Sequence, residues 1–332
     1  MFFPALVRRF RPAILSMMGL LVFPAVQQAQ SGVGHTHPGR QPHPAREPFP
    51  GRQYITVAGK KMSYESFGLA RRHPGSPVVI FEAGFSASGS LFFKPLFPAL
   101  STTCAGIGYD RNGEGGSEED TTLTTDEAII RREHAFLAAL NVPPPYILVG
   151  HSLGGPYIRL FTAFYPGEVA GLIFVDPPDF MLTDQQNEQI RTMSPDSSGL
   201  FEAPLRSFDS AAADTLNGLL TRHRARRMAA LFRMGPWREY YSLAPLPDIP
   251  VVFLLAYHKP LNSITKINPA KYNAIDRFRL ENFTAMIENN HHSAVVVLPG
   301  YTHFITSEDP GLVIAAIRRV YRTAMTGKRV AE

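Results

Sequence analysis

Short apolar runs alternate with amphipathic stretches along this chain, and the alternation predicts a strand–helix–strand order. Tyr54 to Val57 and Lys61 to Ser66 flank Ala58-Gly59-Lys60 and read as a hairpin. Val78 to Glu82 and Ala105 to Tyr109 are short apolar strands, with a helix-like stretch from Leu91 to Leu100 between them. Thr124 with Glu127 three residues on forms a capping box, opening a helix whose Ile130, His134, Leu137 and Leu140 share a face. Three prolines, Pro143 to Pro145, then open the apolar strand Tyr146 to Val149, and Gly155 to Tyr165 follows as a helix that is apolar nearly all round and ends at Pro166. Gly171 to Val175 is a further strand. After a break come Val251 to Ala256, helical Pro269 to Asn289, Ala294 to Leu298 and helical Gly311 to Met325. Such alternation implies a mostly parallel sheet covered by helices on both faces. Between 177 and 249 the strand rhythm stops. That stretch is polar and helical in character, as in Asp184 to Met193 and Ser210 to Arg233, and reads as a lid inserted after the strand ending at Asp176.

Composition changes the picture mainly at the front. The chain has 332 residues, 45% hydrophobic and 18% charged, enough for one large domain, or two small ones, with a sizeable core. Residues 1–29 stand outside it: Arg8, Arg9 and Arg11 precede the apolar stretch Ala13 to Val26, and Ala29 suits the last position before cleavage. This is the pattern of a secretory signal peptide, with too short an apolar region for a comfortable membrane span, and it predicts a secreted or periplasmic protein, an uncleaved anchor being the alternative. Residues 30–52, rich in Pro, Gly and His, have no apolar periodicity and read as a flexible linker in which His35, His37 and His43 are solvated. The folded domain is then 53–332. Of the formal charge of +5, the leader supplies three arginines, so the mature chain stands near about +2. That gives no basis for nucleic-acid binding or a stable membrane partner. The single cysteine, Cys104, rules out an internal disulfide and reads as a buried small hydrophobe.

The chemistry centres on Gly150-His151-Ser152-Leu153-Gly154, which lies between the strand Tyr146 to Val149 and the helix from Gly155. A serine at that turn is pushed out at the carboxyl end of the strand, above the positive end of a helix. The glycines leave room where a tight turn has none for side chains. His303 follows the strand Ala294 to Leu298, on the same sheet edge, where it would take the serine proton and return it to a leaving group.

These residues resemble the α/β-hydrolase superfamily over about Gln53 to Ala324. Val79-Ile80-Phe81-Glu82-Ala83-Gly84-Phe85 is similar to its oxyanion strand and loop, and Asp110-Arg111-Asn112-Gly113-Glu114-Gly115-Gly116-Ser117 to its Asp-Arg-x-Gly-x-Gly-x-Ser turn. Leu298-Pro299-Gly300-Tyr301-Thr302-His303-Phe304 resembles its histidine loop. The resemblance implies an α/β-hydrolase fold, Ser152 as nucleophile, His303 as base, and an oxyanion hole made by the backbone N–H groups of Leu153 and Phe85. The sequence departs from the family's commonest pattern at the third member. The loop after the penultimate strand, Ala256 to Pro260, contains no carboxylate, whereas Asp176 ends the strand after the elbow helix, an acid position found in some members. Asp176 is taken as the acid. Asp276 in the following helix is the main competitor, Asp179 a looser one, and Asp110 belongs to a structural turn. His151 reads as elbow packing, His134 as structural, His291-His292 as a solvated turn, and Arg222, Arg224, Arg226 and Arg227 as a solvated helix face. The expected activity is cofactor-free, metal-free hydrolysis of a small carboxylic ester through an acyl-enzyme. A serine in place of aspartate argues against dehalogenase and epoxide-hydrolase chemistry. Peptidase, C–C hydrolase, cofactor-free haloperoxidase and non-catalytic ligand binding remain the alternatives, because fold does not fix reaction.

Overall fold

The computed structural model describes residues 52–85, 88–193, 209–210, 212–213, 240, 242–260 and 269–327. The leader, the linker before 52, the four-arginine cluster and nearly all of the second lid helix lie outside them. Among the described residues eight strands form one sheet: β1 Gln53–Val57, β2 Lys60–Phe67, β3 Val78–Glu82, β4 Ala105–Tyr109, β5 Tyr146–His151, β6 Val169–Val175, β7 Val251–Tyr257 and β8 Ala294–Pro299. Their order is β1-β2-β4-β3-β5-β6-β7-β8. The hairpin β1–β2 closes through Ala58 and Gly59, both at positive φ (48° and 77°), the left-handed geometry that a two-residue turn between twisted strands requires. Apart from the antiparallel β1–β2 and β2–β4 pairs, every pairing is parallel. The central strands β3, β4 and β5 are buried along their whole length, which is why they read as unbroken apolar runs.

Helices cover both faces: α1 Gly89–Phe92, α2 Phe97–Leu100, α3 Asp126–Ala139, α4 Gly154–Phe164, α5 Asp184–Thr192, α6 Pro269–Met286, α7 Ile305–Glu308 and α8 Pro310–Gly327. On one face Ile80, Leu148, Phe174 and Phe253 pack with Phe136 of α3, Phe161 of α4 and Phe283 of α6. On the other, Phe81 meets Phe93 and Phe97 at ring distances of 4.9 and 5.4 Å, and α8 lies over β6.

Two local expectations need correction. The stretch Leu91 to Leu100 is not one helix but α1 and α2, separated by a turn at Lys94–Leu96. Pro95 and Pro98 cannot donate within a helix and are accommodated only at the start of a new turn. The cap of α3 is Thr125, not Thr124: its hydroxyl accepts from the Ala128 N–H at 3.1 Å, which puts Asp126 and Glu127 in the first turn, at the positive end of the helix dipole. In α5 the cap is complete, with the Thr183 and Gln186 side chains each satisfying the other's backbone.

The strand order reverses between β3, beside which the chain turns back to β4, and β5, which leads on to β6. The carboxyl ends of strands flanking such a reversal leave a crevice, the usual ligand position of an open α/β sheet. The ends of β3, β5, β6, β7 and β8 all open on that edge.

Candidate active site

At the end of β5 the chain turns sharply into α4, with Ser152 at φ 51°. Its N–H donates to the Val175 carbonyl at 3.0 Å and its own carbonyl accepts from Gly155 at 2.8 Å, so the strained turn is fixed from both sides. Gly150 and Gly154 are forced by close approach. A Cβ on Gly150 would stand 2.5 Å from the Gly154 carbonyl oxygen, and one on Gly154 would stand 2.1 Å from that of Glu82. Asp176 (φ 43°) and His258 (φ 47°) end β6 and β7 in the same left-handed region. Each such non-glycine residue costs about 1–3 kcal/mol, a strain that collects at functional sites.

Asp176 and His303, 127 positions apart, are joined by the hydrogen bond from His303 Nδ1 to Asp176 Oδ2, at 2.5 Å. With Nδ1 donating, Nε2 carries the basic lone pair. The Asp176 side chain is fully buried, and that of His303 is 39% exposed, open to a ligand on its outer side. His151 ties the histidine loop to the elbow: its Nε2–H donates to the His303 carbonyl at 2.9 Å, because a carbonyl only accepts. The His151 ring stacks on Phe92 with centroids 4.7 Å apart, and burial holds its pKa down to about 3, so it is neutral. The expected packing role of His151 therefore has a specific form. The His303 ring lies against that of His151 with centroids 4.7 Å apart, and among the described residues no direct hydrogen bond joins Ser152 and His303. The contact between nucleophile and base often closes only when substrate arrives.

The loop after β3 lies against the elbow. A Cβ on Gly84 would be 3.2 Å from Ser152 Cβ and 3.0 Å from His151 Nδ1, so Phe85 and Leu153, each one residue further on, are carried to the same corner. Arg111 shapes that loop. Its guanidinium donates to the Ala83 carbonyl at 2.5 Å and the Gly84 carbonyl at 2.6 Å, and pairs with Glu82 and with Glu114 (2.8 Å). Burial still pushes the Glu82 carboxyl up, against the pull of Arg111. Asp110, beside it, is a buried hub that accepts from Ser63, Ser88 (2.8 Å), the Ser90 N–H (3.0 Å) and the Gly116 N–H (2.9 Å). The turn at 110–117 is thus tied to the loop after β3 through Arg111.

The competing carboxylates fall into other roles. Asp276 accepts the His258 N–H at 2.9 Å and faces Arg279 at 3.3 Å, while Asp179 accepts from the Met181 N–H and from Asn282, each at 2.9 Å. Burial raises Asp179 to about 6. Neither takes a hydrogen bond from His303. His134 stacks on Tyr165 at 3.9 Å and meets Glu168 at 3.0 Å, and His291 pairs with Asp248 on the surface at 2.7 Å. Burial pushes the Cys104 thiol up to about 12.

Two residues of this corner escaped sequence reasoning. Arg279 of α6 reaches Asp176 Oδ1 at 2.5 Å, and Lys259 after β7 reaches Oδ2 at 2.9 Å. Burial opposes the Asp176 charge, but Arg279, the His303 hydrogen bond and Lys259 outweigh it and hold the carboxyl far below the usual range. For Arg279 spacing gave only the face: Asp276, Arg279 and Phe283 share a side of α6, and Phe283 stacks on Phe253 of β7 at 4.5 Å.

A mostly parallel eight-stranded sheet, a strained serine turn after its central strand and a buried aspartate hydrogen-bonded to a part-exposed histidine beside it define the α/β-hydrolase arrangement. The chain belongs to the alpha/beta hydrolase family, which matches residues 78–316. It is similar to an uncharacterized protein of Bacillus subtilis, 28% identical over 107 residues, 32% of this chain and 42% of that one. It is also similar to a monoacylglycerol lipase of Homo sapiens, 29% identical over 122 residues, 35% of each chain. The chain spans 42% or less of the length of the curated relatives it matches. Among solved structures, a thermophilic esterase from Thermogutta terrifontis is 21% identical with a TM-score of 0.52, covering 82% of this chain and 98% of its own. An epoxide hydrolase is 15% identical with a TM-score of 0.54, covering 82% and 98%. At these identities the likeness is one of fold.

Proposed function

We propose that this hydrolase cleaves carboxylic esters through an acyl-enzyme, with Ser152 as nucleophile, His303 as base and Asp176 as acid. The observation that carries the reading is the 2.5 Å hydrogen bond from His303 Nδ1 to Asp176, formed on the sheet edge that presents the Ser152 turn. In the first step Ser152 Oγ attacks the acyl carbon while His303 Nε2 takes its proton. The N–H groups of Leu153 and Phe85 hold the oxyanion, where one such donor is worth about 100- to 1,000-fold in rate. Collapse expels the alcohol, which receives the proton from His303. Water, deprotonated by the same nitrogen, then releases the acid and restores Ser152. The name of one relative, a monoacylglycerol lipase, supports ester chemistry, and a serine at the elbow in place of aspartate sets this site apart from the epoxide-hydrolase neighbour. The test is a fluorophosphonate, whose phosphorus is attacked by an activated serine with loss of fluoride. Intact-mass and peptide mapping should find one adduct, on Ser152. Ester hydrolysis without an adduct there would reject the assignment.

The same proposal includes export. The arginine-flanked apolar stretch of 1–29 supports secretion or periplasmic delivery with cleavage near Ala29. The mature protein should be lighter by that segment and recovered outside the cytoplasm. Soluble cytoplasmic protein that retains Met1 would contradict it.

A further inference from the structure

Asp176 faces more positive charge than one histidine supplies. Arg279 stands 2.5 Å from its Oδ1, and Lys259 stands 2.9 Å from Oδ2, the oxygen that also accepts from His303. Arg279 is shared with Asp276 at 3.3 Å. Two carboxylates and two cations form a neutral quartet before His303 takes up any proton, and Asp179, raised to about 6 by burial, is a further titratable carboxyl acting on Arg279. In a triad whose acid faces histidine alone, the imidazolium formed during attack is matched by a full negative charge. Here that charge is already matched, and the imidazolium adds a net positive charge to the cluster. Among the described residues His151 also lies against the His303 ring, neutral at its pKa of about 3. Within the histidine loop Glu308 is engaged by the Thr302 N–H and hydroxyl.

Resting on the ester-hydrolase reading, we propose that Lys259 is a positioning residue that sets the pH range of the base, its ammonium on Asp176 Oδ2 disfavouring the imidazolium of His303. Arg279 does the structural half of this work. Its side chain is 5% exposed, and it fixes the buried oxygen of Asp176 to α6. Lys259, at 30% exposure, stands at the rim, where its charge acts on the reacting nitrogen more than on the packing. The sign follows from Coulomb's law. Removing a positive charge beside His303 favours imidazolium, so the acid limb of activity moves to higher pH. Removing the negative charge of Asp276 moves it to lower pH.

The experiment follows the rate of fluorophosphonate labelling of Ser152 against pH, in the full chain at constant low ionic strength, for wild type, Lys259→Met, Lys259→Arg and Asp276→Asn. Lys259→Met should raise the acid limb by about one pH unit, the size of a contact-range charge partly screened by water. Lys259→Arg should restore it, and Asp276→Asn should shift it the opposite way, which a merely structural role would not do. If Lys259→Met does not fold, Asp276→Asn and Lys259→Gln carry the test. An acid limb that coincides in all variants, or moves the same way on removing either sign of charge, overturns the inference. Absence of labelling in wild type would instead overturn the hydrolase reading on which it rests.

Discussion

Ser152→Ala is expected to lose ester hydrolysis by about 10⁴- to 10⁶-fold while folding normally. Alanine keeps the Cβ, so the positive-φ turn and its two backbone hydrogen bonds, from Ser152 N–H to Val175 and from Gly155 N–H to Ser152, are undisturbed. Only the hydroxyl is removed, and with it the atom that bonds to the acyl carbon. His303→Ala should be nearly as damaging, because a serine hydroxyl without a base is a poor nucleophile at neutral pH. The double variant should be scarcely slower than either single one, since the pair acts as a unit and each loss leaves the same residual contribution of the oxyanion donors. Steady-state rates on nitrophenyl esters of graded chain length, with melting temperatures in parallel, check this. A Ser152→Ala protein that turned over esters at the wild-type rate would place the nucleophile elsewhere.

The fold was legible because its central strands are buried on both faces and its motifs fall at strand ends. Apolar runs such as Val78 to Glu82 and Tyr146 to Val149 admit few other readings once glycine- and proline-rich turns bound them. Boundaries were less legible where one residue of phase decides. Thr124 and Thr125 offer the same hydroxyl, and only the side that α3 buries, with Ile129, Ile130, Phe136 and Leu137, selects Thr125. At the site, Ser152 and His303 were marked by motifs, and Asp176 by its place at a strand end together with the lack of a carboxylate between Ala256 and Pro260. The same loop held a further clue, for where a carboxylate was sought it carries Lys259, whose ammonium meets Asp176. Arg279 was out of reach because its partner lies 103 positions away, and a helix's periodicity says which face is buried but not what that face meets.

Asp176→Asn should cut kcat by about 10⁴-fold, and the structure adds a second consequence that position alone did not suggest. The amide keeps an oxygen for the Ala256 N–H and for Arg279, which lie at 3.1 and 2.5 Å from Oδ1. Its nitrogen then replaces Oδ2, and its N–H groups face His303 Nδ1. That nitrogen must now accept, so the proton moves to Nε2 and the base is lost. The same change leaves Arg279 and Lys259 without the charge they share. Breaking a buried ion pair by removing one partner costs about 3–5 kcal/mol, a ceiling here because Asp276 still faces Arg279 and Lys259 is partly solvated. A loss of stability is therefore expected beside the loss of rate, and a lowered melting temperature does not by itself mark Asp176 as merely structural. The roles separate in the rate of the protein that remains folded, measured well below its melting temperature. Arg279→Met supplies the comparison: it breaks the same ion pair but leaves Asp176 Oδ2 on His303, so it should lower stability without the full loss of rate. Asp276→Asn, which does not touch His303, should retain most of its rate at alkaline pH. Should Asp276→Asn be inactive while folded Asp176→Asn turns over normally, the acid would belong to α6 and the assignment of Asp176 would be wrong.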